Sequence, residues 1–232
     1  MKQVISAIIP ALNEADNLAV LLPALHRQLK KISADSYEII VVEGSSTDAT
    51  EQVAHDLGAM VVDQVEPGYG GALLAGFAAA EGEWIVTLDA DLSHEPGFVN
   101  DLWSAKDTAD VIIASRYVKG GRADMPLFRL VLSRILNSFF TRGLSLPLKD
   151  ISSGFRLYRA SVVKGMNLVS RDFDVLEEIV VRARVDGNNL KEIPFTYKPR
   201  VTGQSHAKLI RFGIAYLKTF WRMWKLRHGK GG

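Results

Sequence analysis

The chain has 232 residues, 47% of them hydrophobic and 23% charged, with a net charge of +2 and no cysteine. This apolar content excludes an intrinsically disordered chain, and the lack of cysteine excludes a disulfide scaffold and a cysteine-ligated zinc site. The sequence shows no cleavable signal pattern and no run of 18 uncharged apolar residues, so we expect a soluble or peripheral chain without a transmembrane helix.

Short apolar runs alternate with helix-like segments along the first half of the chain. The runs are rich in Val and Ile and predict strands, whereas the segments between them have apolar residues at helical spacing. This alternation is typical of an α/β fold with a mainly parallel sheet that helices cover on both faces. The predicted strands are 4–9, 38–42, 59–62, 84–88 and 111–114, and the predicted helices are 15–31, 47–57, 71–80 and 97–105.

The alternation changes after Ser115. A glycine-containing polar loop comes first. A helix, a short strand, a second helix, a second short strand and a second loop follow it in that order, before the C-terminal segment. The predicted loops are 119–124 and 199–207, the helices 127–144 and 173–185, and the strands 153–158 and 190–193. Neither an internal repeat nor a low-complexity linker divides the chain, so the sequence predicts one domain.

The segment 208–227 predicts an amphipathic helix. Residues 193–232 carry nine Lys or Arg and no Asp or Glu, so this part has a charge of +9 and the rest of the chain −7. The basic stripe of the helix consists of Arg211, Lys218, Arg222 and Lys225. Cations are costly inside a bilayer, so we expect the helix to lie in a membrane interface, with Trp221 and Trp224 at headgroup depth. The alternative is a helix packed on the domain, its apolar face divided between the core and a subunit partner.

Two carboxylates follow the predicted strand 84–88. Asp89 and Asp91 are separated by one residue at the end of a buried run, where unpaired carboxylates repel each other and are poorly hydrated. A divalent cation removes both penalties. Ligation by oxygen alone suits Mg²⁺ or Mn²⁺, which also bind the phosphate oxygens of a substrate. The sequence therefore predicts a metal–phosphate site here.

Other turns follow the remaining strands. The segment 10–14 ends the first strand, 43–48 ends the second, and the glycine-rich segment 68–71 opens the third helix. Small residues in these turns allow a planar or phosphorylated ligand to approach the backbone. Glu43 can accept hydrogen bonds from a nucleotide base, whereas Asp48 either does the same or caps its helix.

Together these segments resemble the family-2 glycosyltransferases. The similarity lies in 10–14, 41–50, 68–82 and 88–96, in that order. The second half looks like the branch of this family that transfers mannose to dolichol or polyprenol phosphate. The residues that carry this narrower resemblance are Ser115, Arg116, Tyr117, Gly121, Arg122, Arg129, Ser133, Asn137 and the segment 153–156. The resemblance implies a nucleotide-sugar-binding, Rossmann-like fold of the GT-A type.

The resemblance also implies site roles and a domain division. The catalytic residues would be Asp89, Asp91, Arg116 and Arg129, with the two aspartates holding Mg²⁺ or Mn²⁺ on the donor diphosphate. The nucleotide-binding residues would be Pro10, Asn13, Glu14, Glu43, Asp48 and Gly70. Arg116, Arg129 and Ser133 would bind the acceptor phosphate, and a mobile loop with Arg200, Ser205 and Lys208 would close over the diphosphate. The catalytic domain would span 1–207, divided into a donor half (1–116) and an acceptor half (117–207), before a basic helix and tail over 208–232.

The sequence departs from the family pattern in three places. The segment 43–46 reads Glu-Gly-Ser-Ser, where relatives usually have Asp-Asp-Gly-Ser or Asp-Gly-Gly-Ser. The segment 93–96 reads Ser-His-Glu-Pro in place of Gln-His-Pro, which leaves the third metal ligand open; we expect His94 to be structural. Many relatives also have C-terminal membrane spans, whereas this sequence ends in the amphipathic helix.

The function implied by the resemblance is inverting, metal-dependent transfer of a hexose to dolichyl or polyprenyl phosphate at the cytosolic face of a membrane. Mannose from GDP-mannose is favoured, and glucose from UDP-glucose is the nearest substitute. A phosphate acceptor is largely dianionic at neutral pH, so it requires cations rather than a general base. The expected partners are the donor, the lipid acceptor, a membrane surface bound through the C-terminal helix, and a second copy or a membrane-anchoring subunit; nucleic acid is not expected.

Two other functions stay open from the sequence. Transfer to a sugar hydroxyl requires a carboxylate base, for which Asp150 and Asp174 are candidates, although Asp150 can equally orient Arg156. A non-catalytic subunit would bind nucleotide sugar without turnover, but such a subunit has no need of both the carboxylate pair and the arginines.

Overall fold

The computed structural model describes residues 3–198 and 209–229. Its strands are β1 Ile5–Ala11, β2 Tyr37–Glu43, β3 Met60–Asp63, β4 Trp84–Thr87, β5 Val111–Ser115, β6 Arg122–Ala123, β7 Arg156–Arg159, β8 Leu190–Pro194 and β9 Thr196–Tyr197. Its α-helices are α1 Ala15–Ser33, α2 Thr50–Asp56, α3 Gly68–Ala79, α4 Val99–Ser104, α5 Leu127–Gly143, α6 Ala160–Val163, α7 Val175–Val185 and α8 Leu209–His228. Short 3₁₀ turns span Pro96–Phe98 and Lys106–Thr108.

Seven strands form one central sheet in the order β3-β2-β1-β4-β7-β5-β8. The pairs β1–β2, β1–β4, β2–β3 and β5–β8 are parallel. Only β7 runs antiparallel to its neighbours within this sheet, and it lies between β4 and β5. The predicted α/β class with a mainly parallel sheet is therefore confirmed. The two-residue strands β6 and β9 form a separate parallel ribbon.

Helices bury both faces of the sheet. Along β1, Ile8 packs into one hydrophobic cluster and Ile9 into the other, because successive side chains of a strand point to opposite faces. Leu73 of α3 and Val180 of α7 belong to the first cluster, and Leu22 of α1 belongs to the second. Because both faces are covered, polar residues that bind a ligand are expected beyond the carboxyl ends of the parallel strands.

Several predicted boundaries differ from the observed ones, and two of the differences have a clear physical reason. The helix predicted over 97–105 is a 3₁₀ turn followed by the six-residue α4. The helix predicted over 47–57 begins only at Thr50, because the carboxylate of Asp48 accepts the backbone N–H of Thr50 and holds the preceding residues in a turn. The strand predicted over 153–158 begins at Arg156, because the residues before it cross the ends of β4 and β5.

The C-terminal helix α8 packs one face against the domain and exposes the other. Met223 is fully buried, whereas Trp221 is 56% exposed. Arg222, predicted to lie on a basic stripe that faces lipid, instead pairs with Asp174 at 2.9 Å, because α7 begins with acidic groups at this contact. Lys218 and Lys225 are exposed, and the side chain of Arg211 lies outside the described part. None of the described helices is long and apolar enough to cross a membrane.

Candidate active site

The two predicted metal-binding carboxylates lie just beyond β4. Asp91 is buried, and its Oδ1 accepts the backbone N–H of Ser93 at 3.0 Å. Asp89 is partly exposed, and its Oδ1 accepts the hydroxyl of Tyr69 at 3.1 Å. The sequence interpretation missed Tyr69. Its signal was its place in the glycine-rich start of α3, a turn already expected beside the strand ends.

His94 positions the carboxylate turn. The backbone N–H of Asp89 donates to His94 Nδ1 at 2.9 Å, and the imidazole stacks on Phe155 with 4.8 Å between ring centroids. In the neutral ring this bond leaves the proton on Nε2, which lies 3.8 Å from Asp89 Oδ2. The hydrogen bond to Nδ1 therefore holds the backbone of Asp89 in place, and the ring lies beside the Asp89 carboxylate.

The carboxylate pair has the donor chemistry that Mg²⁺ or Mn²⁺ prefers, since both groups offer hard oxygen atoms. No cluster of three or more His, Asp or Glu that could hold a metal occurs in the described ranges. Two carboxylates suit a cation that also binds phosphate oxygens and water, which is how Mg²⁺ usually binds in phosphate sites. The third protein ligand stays open.

The loops after β1 and β2 are bound to each other. Asn13 Oδ1 accepts the backbone N–H of Thr47 at 2.7 Å, and the N–H of Asn13 donates to Ser46 Oγ at 2.9 Å. The N–H of Glu14 donates to Thr50 Oγ1 at 2.8 Å. These bonds bring together five of the predicted nucleotide-binding residues at the ends of β1 and β2: Pro10, Asn13, Glu14, Glu43 and Asp48.

Glu43 is held as an ionised acceptor by its own turn. Its carboxylate accepts the backbone N–H groups of Ser45 at 2.8 Å and Ser46 at 2.5 Å. Burial raises the pKa of Glu43, but the hydrogen bonds from Ser46 and Ser45 outweigh it, and the net pKa is lowered. A carboxylate has about four lone-pair sites. Glu43 can therefore keep both turn bonds and still accept a hydrogen bond from a ligand.

Asp48 has the capping geometry that was the alternative to a ligand contact. Its carboxylate accepts the backbone N–H of Thr50 at 3.0 Å and that of Ala15 at 3.3 Å. These are the first residues of α2 and α1, so one carboxylate satisfies donors at two helix starts. Burial raises the pKa of Asp48, but the hydrogen bonds lower it by a larger amount, so the net pKa lies below its ordinary value. A direct role in nucleotide binding stays a prediction.

The glycines at the start of α3 face protein backbone. The N–H of Gly70 donates to the carbonyl of Arg171 at 2.7 Å, and a Cβ on Gly70 would lie 2.5 Å from the carbonyl oxygen of Ser170. Gly68 has a φ of +86° and would place a Cβ 2.2 Å from Arg171 O. The close approach of the two backbone segments therefore requires glycine at both positions, whether or not a ligand binds there. The predicted nucleotide contact of Gly70 therefore stays a prediction.

Arg116, just after β5, forms a buried ion pair with Asp150. Its Nε and Nη2 donate to the two carboxylate oxygens of Asp150, each at 2.7 Å, and Nη2 also donates to Ser152 Oγ at 2.8 Å. The side chains are 13% and 0% exposed respectively. Burial alone lowers the pKa of Arg116, but Asp150 raises it, and the net pKa lies above the ordinary value. Nη1 has no hydrogen-bond partner among the described residues and remains available to a ligand.

The proposal that Asp150 orients Arg156 is wrong, because Asp150 is bound to Arg116 instead. Arg156 is fully buried and donates to three backbone carbonyls, those of Ser153 at 2.6 Å, Leu176 at 2.9 Å and Ile151 at 2.5 Å. It thereby holds the loop before β7 in place from beneath.

The other predicted acceptor residues lie on α5. Ser133 Oγ accepts the hydroxyl of Tyr117, the neighbour of Arg116, at 2.7 Å. Asn137 links α5 to the loop before β7, because its amide nitrogen donates to Ser152 Oγ at 3.0 Å. Arg129 is exposed one helical turn before Ser133, and residues four apart share a helix face. The structure therefore brings Arg116 and Ser133 together, with Arg129 on the same side of α5.

The topology places the carboxylates and Arg116 at one edge of the sheet. Because β7 is antiparallel, its start lies beside the carboxyl ends of both β4 and β5, with Arg156 paired to Thr87 and to Ile113. Strands β4 and β5 are thus two spacings apart, about 9–10 Å. A Cβ on Gly154 would lie 3.5 Å from Asp89 Oδ1, so the loop before β7 connects the two groups. Arg200, Ser205 and Lys208 lie outside the described residues.

Comparison with known proteins gives the family. The sequence model described as Glycosyl transferase family 2 matches residues 6–166, which is more than half of the chain. The chain belongs to glycosyltransferase family 2. The predicted family and GT-A type fold are thereby confirmed.

Two curated members of the family are similar over most of this chain. A dolichol-phosphate mannosyltransferase of Pyrococcus furiosus is 34% identical over 95% of the chain, which spans 64% of that protein's length. A polyprenol monophosphomannose synthase of Mycolicibacterium smegmatis is 33% identical over 85% of the chain and 78% of its own length. This chain therefore corresponds to less than two thirds of the Pyrococcus protein.

Solved structures share the fold. Glucosyl-3-phosphoglycerate synthase of Mycobacterium tuberculosis, in complex with Mn²⁺, UDP-glucose and phosphoglyceric acid, superposes with a TM-score of 0.76. The match covers 96% of this chain and 80% of that chain at 19% identity. The same enzyme with Mg²⁺ and UDP gives the same TM-score, covering 95% and 79% of the two chains. At this identity the likeness is one of fold.

Proposed function

We propose that this family-2 glycosyltransferase transfers mannose from GDP-mannose to a polyprenyl phosphate at the cytosolic face of a membrane, with inversion at the anomeric carbon. The observation that carries the proposal is the common edge of the sheet. A carboxylate pair follows β4, and Arg116, whose Nη1 makes no hydrogen bond in the described part of the chain, follows β5. The two curated relatives support the mannosyl and polyprenyl-phosphate specificities.

The donor would bind across the ends of β1, β2 and β4. Asn13 and Glu43, fixed by the bonded loops, would line the nucleoside, with Pro10 and Glu14 beside them. Asp89 and Asp91 would hold Mg²⁺ or Mn²⁺, which when bound stabilises the charge of the departing nucleoside diphosphate as a Lewis acid. The Mn²⁺ and Mg²⁺ complexes of the glucosyl-3-phosphoglycerate synthase support this assignment.

The acceptor would bind between β5 and α5. Arg116 offers Nη1 to a phosphate oxygen, and Arg129 and Ser133 would supply a second cation and a hydroxyl. A phosphate oxygen forms the new bond to the anomeric carbon from the side opposite the diphosphate, and the bond to the diphosphate oxygen breaks. The dianionic acceptor brings no proton to this step, so no general base is required.

The state of the two candidate bases favours a phosphate acceptor over a sugar hydroxyl. Asp150 is fully buried and both of its oxygens bind Arg116. Asp174 pairs with Arg222 and accepts the hydroxyl of Thr219 at 3.0 Å. A base must reach the hydroxyl directly or through one water molecule. Both carboxylates are thus occupied in structural roles.

Membrane contact would involve α5 as well as α8. Among the side chains that the structure describes, the exposed large apolar ones of the two helices are Leu127, Phe128, Val131, Ile135 and Phe139 on α5, and Leu217, Trp221 and Trp224 on α8. Phe139 lies 4.7 Å from Phe220, ring centroid to ring centroid, so the two sets adjoin. We call this the α5–α8 apolar surface. Aromatic and aliphatic side chains beside exposed lysines suit a lipid interface.

The test is turnover by the purified chain with a short polyprenyl phosphate and Mg²⁺ or Mn²⁺, comparing GDP-mannose with UDP-glucose by thin-layer chromatography. We expect a mannosyl product, its loss in Asp91→Asn, and its retention in Asp101→Asn, a matched change of an exposed aspartate on α4. Glucosyl product from UDP-glucose alone would replace the donor assignment. Product only with a sugar-hydroxyl acceptor, or full activity of Asp91→Asn, would contradict the proposal.

A further inference from the structure

A basic pocket lies beside the acceptor residues. It is open to solvent and has a volume of about 630 Å³ between α5 and the segment that follows it. Its lining contains three cations, Arg134, Arg142 and Lys149, together with four hydroxyl side chains, and no carboxylate. Such a lining has the donors and the charge to bind a phosphate group.

The charge of this pocket is not neutralised by the acids behind it. Asp150, next to Lys149 in sequence, is already paired with Arg116. Glu192 accepts the backbone N–H groups of Lys149 and Asp150, both at 2.8 Å, rather than a side-chain cation of the pocket. Arg134, Arg142 and Lys149 are exposed, and none of them forms an ion pair with an acid among the described residues, so the pocket carries a net positive charge.

Tyr117 separates this pocket from the predicted acceptor-phosphate site. Its ring centroid is 5.1 Å from the guanidinium carbon of Arg116 and 5.5 Å from that of Arg134. Its hydroxyl donates to Ser133, which belongs to the acceptor set. Two anion-binding groups thus lie next to each other, with one aromatic ring between them.

The pocket also borders the α5–α8 apolar surface. Ile135 and Phe139 directly follow Arg134 and Ser138, so they lie about 100° further round the helix. Both are exposed, as is Arg134, which lines the pocket together with Ser138. A group that enters the pocket therefore has an apolar surface beside it. This combination of phosphate-binding donors and adjoining apolar side chains is that of a phospholipid site.

We propose that the pocket lined by Arg134, Arg142 and Lys149 binds the phosphate headgroup of an anionic bilayer phospholipid, while the acyl chains of that phospholipid contact α5. The inference rests on the membrane contact proposed above and adds a second phosphate site to it. A lipid bound there orients α5 at the bilayer, and the acceptor residues of α5 then face the membrane from which the polyprenyl phosphate comes.

The test is vesicle co-sedimentation of the full chain. Phosphatidylcholine vesicles are prepared with phosphatidic acid or, at equal surface charge, with oleic acid. We expect tighter binding to the phosphatidic acid vesicles than to the oleic acid vesicles, and loss of that preference in Arg134→Gln/Arg142→Gln. Lys164→Gln/Lys191→Gln, which removes two exposed charges elsewhere, keeps the preference. Thermal unfolding checks that both double variants are folded.

Several outcomes would overturn the inference. They are equal binding of the unaltered chain to the two vesicles, no binding to either, and an equal loss of preference in the control variant. Binding of inorganic phosphate can be measured by calorimetry. If the unaltered chain binds inorganic phosphate and Arg134→Gln/Arg142→Gln does not, the pocket would be assigned to free phosphate. A loss of affinity for short polyprenyl phosphate in detergent, as large as that of Arg116→Gln, would assign it to the acceptor.

The proposed function is judged separately, by turnover of the unaltered chain in detergent. Absence of product in that assay would contradict the transferase proposal. The lipid site would still be tested independently by the vesicle comparison.

Discussion

Glu177 allows a sharp test of the packing beneath the site. It is 3% exposed, and its Oε2 has no hydrogen-bond partner among the described residues. Burial raises the pKa of Glu177 from 4.5 to about 8, although the nearby Arg156 opposes the shift. Between these two pH values the unfolded chain has released the proton and the folded chain retains it. The contribution of Glu177 to the stability of the fold is therefore fully present below pH 4.5 and is lost as the pH rises towards 8.

The magnitude follows from this pKa. One pH unit corresponds to about 1.4 kcal/mol, so at pH 7 the penalty is about 3 kcal/mol of unfolding free energy. Glu177→Gln removes the titrating group and keeps its shape. We expect the free energy of unfolding in urea, measured for both proteins from pH 4.5 to 8, to shift in favour of the variant by that amount between pH 4.5 and 7. Parallel pH curves would refute the reasoning.

The neighbouring residue is a matched control of opposite sign. Burial raises the pKa of Glu178, but hydrogen bonds from Ser170, Arg182 and Val169 outweigh it, and the net pKa is lowered. Its contribution to stability is therefore present above its unfolded pKa and is lost as the pH falls through its folded pKa. Glu178→Gln should be less stable than the unaltered chain at neutral pH, and the gap should narrow in acid.

Three further predictions concern the site. Asp150→Asn leaves Arg116 without its buried partner and should cost about 3–5 kcal/mol of unfolding free energy while raising the KM for the acceptor. Tyr69→Phe removes the donor to Asp89 and should weaken Mn²⁺ binding about 10–100-fold by titration. Gly70→Ala places a methyl group against backbone and should cost about 1–3 kcal/mol in urea unfolding.

Each of these changes has a control on the same chain. Asp110→Asn breaks a partly exposed pair with Arg159 and should cost under about 1 kcal/mol. Tyr158→Phe removes a buried hydroxyl that makes no hydrogen bond among the described residues, and it should leave Mn²⁺ binding intact. The nearest atom to a Cβ on Gly97 is 3.8 Å away, so Gly97→Ala should change stability by about 0.5 kcal/mol or less. Equal effects within any pair would contradict the corresponding prediction.

The sheet was predictable because its signals are local. Val- and Ile-rich runs and the helical spacing between them lie within single segments, and the first five strands were located within two residues of their observed bounds. The antiparallel direction of β7 was not predictable in this way. It depends on pairing with β4 and β5, which lie about 70 and 45 residues earlier in the chain, and nothing in the residues of β7 itself encodes that pairing.

The position of the candidate site in the fold was predictable for a similar reason. Asp89 and Asp91 are conspicuous because they end a buried strand, and the strand-end loops follow from the topology of an α/β sheet. Arg116 and Asp150 are 34 residues apart in the chain, and their pairing depends on the three-dimensional fold rather than on any local sequence pattern. The same is true of Arg222, whose partner Asp174 is 48 residues away and outweighs the helical pattern that assigned it to the lipid face.

The position of β7 restricts how the sheet can open. Because that strand is hydrogen-bonded to β4 on one side and β5 on the other, the strands that precede Asp89 and Arg116 belong to one continuous ladder. A hinge between them would break ladder bonds on one side of β7. If the chain acts as proposed, we expect ligand entry and product release to depend on rearrangement of the surrounding loops rather than of the sheet, so that stiffening those loops would slow turnover.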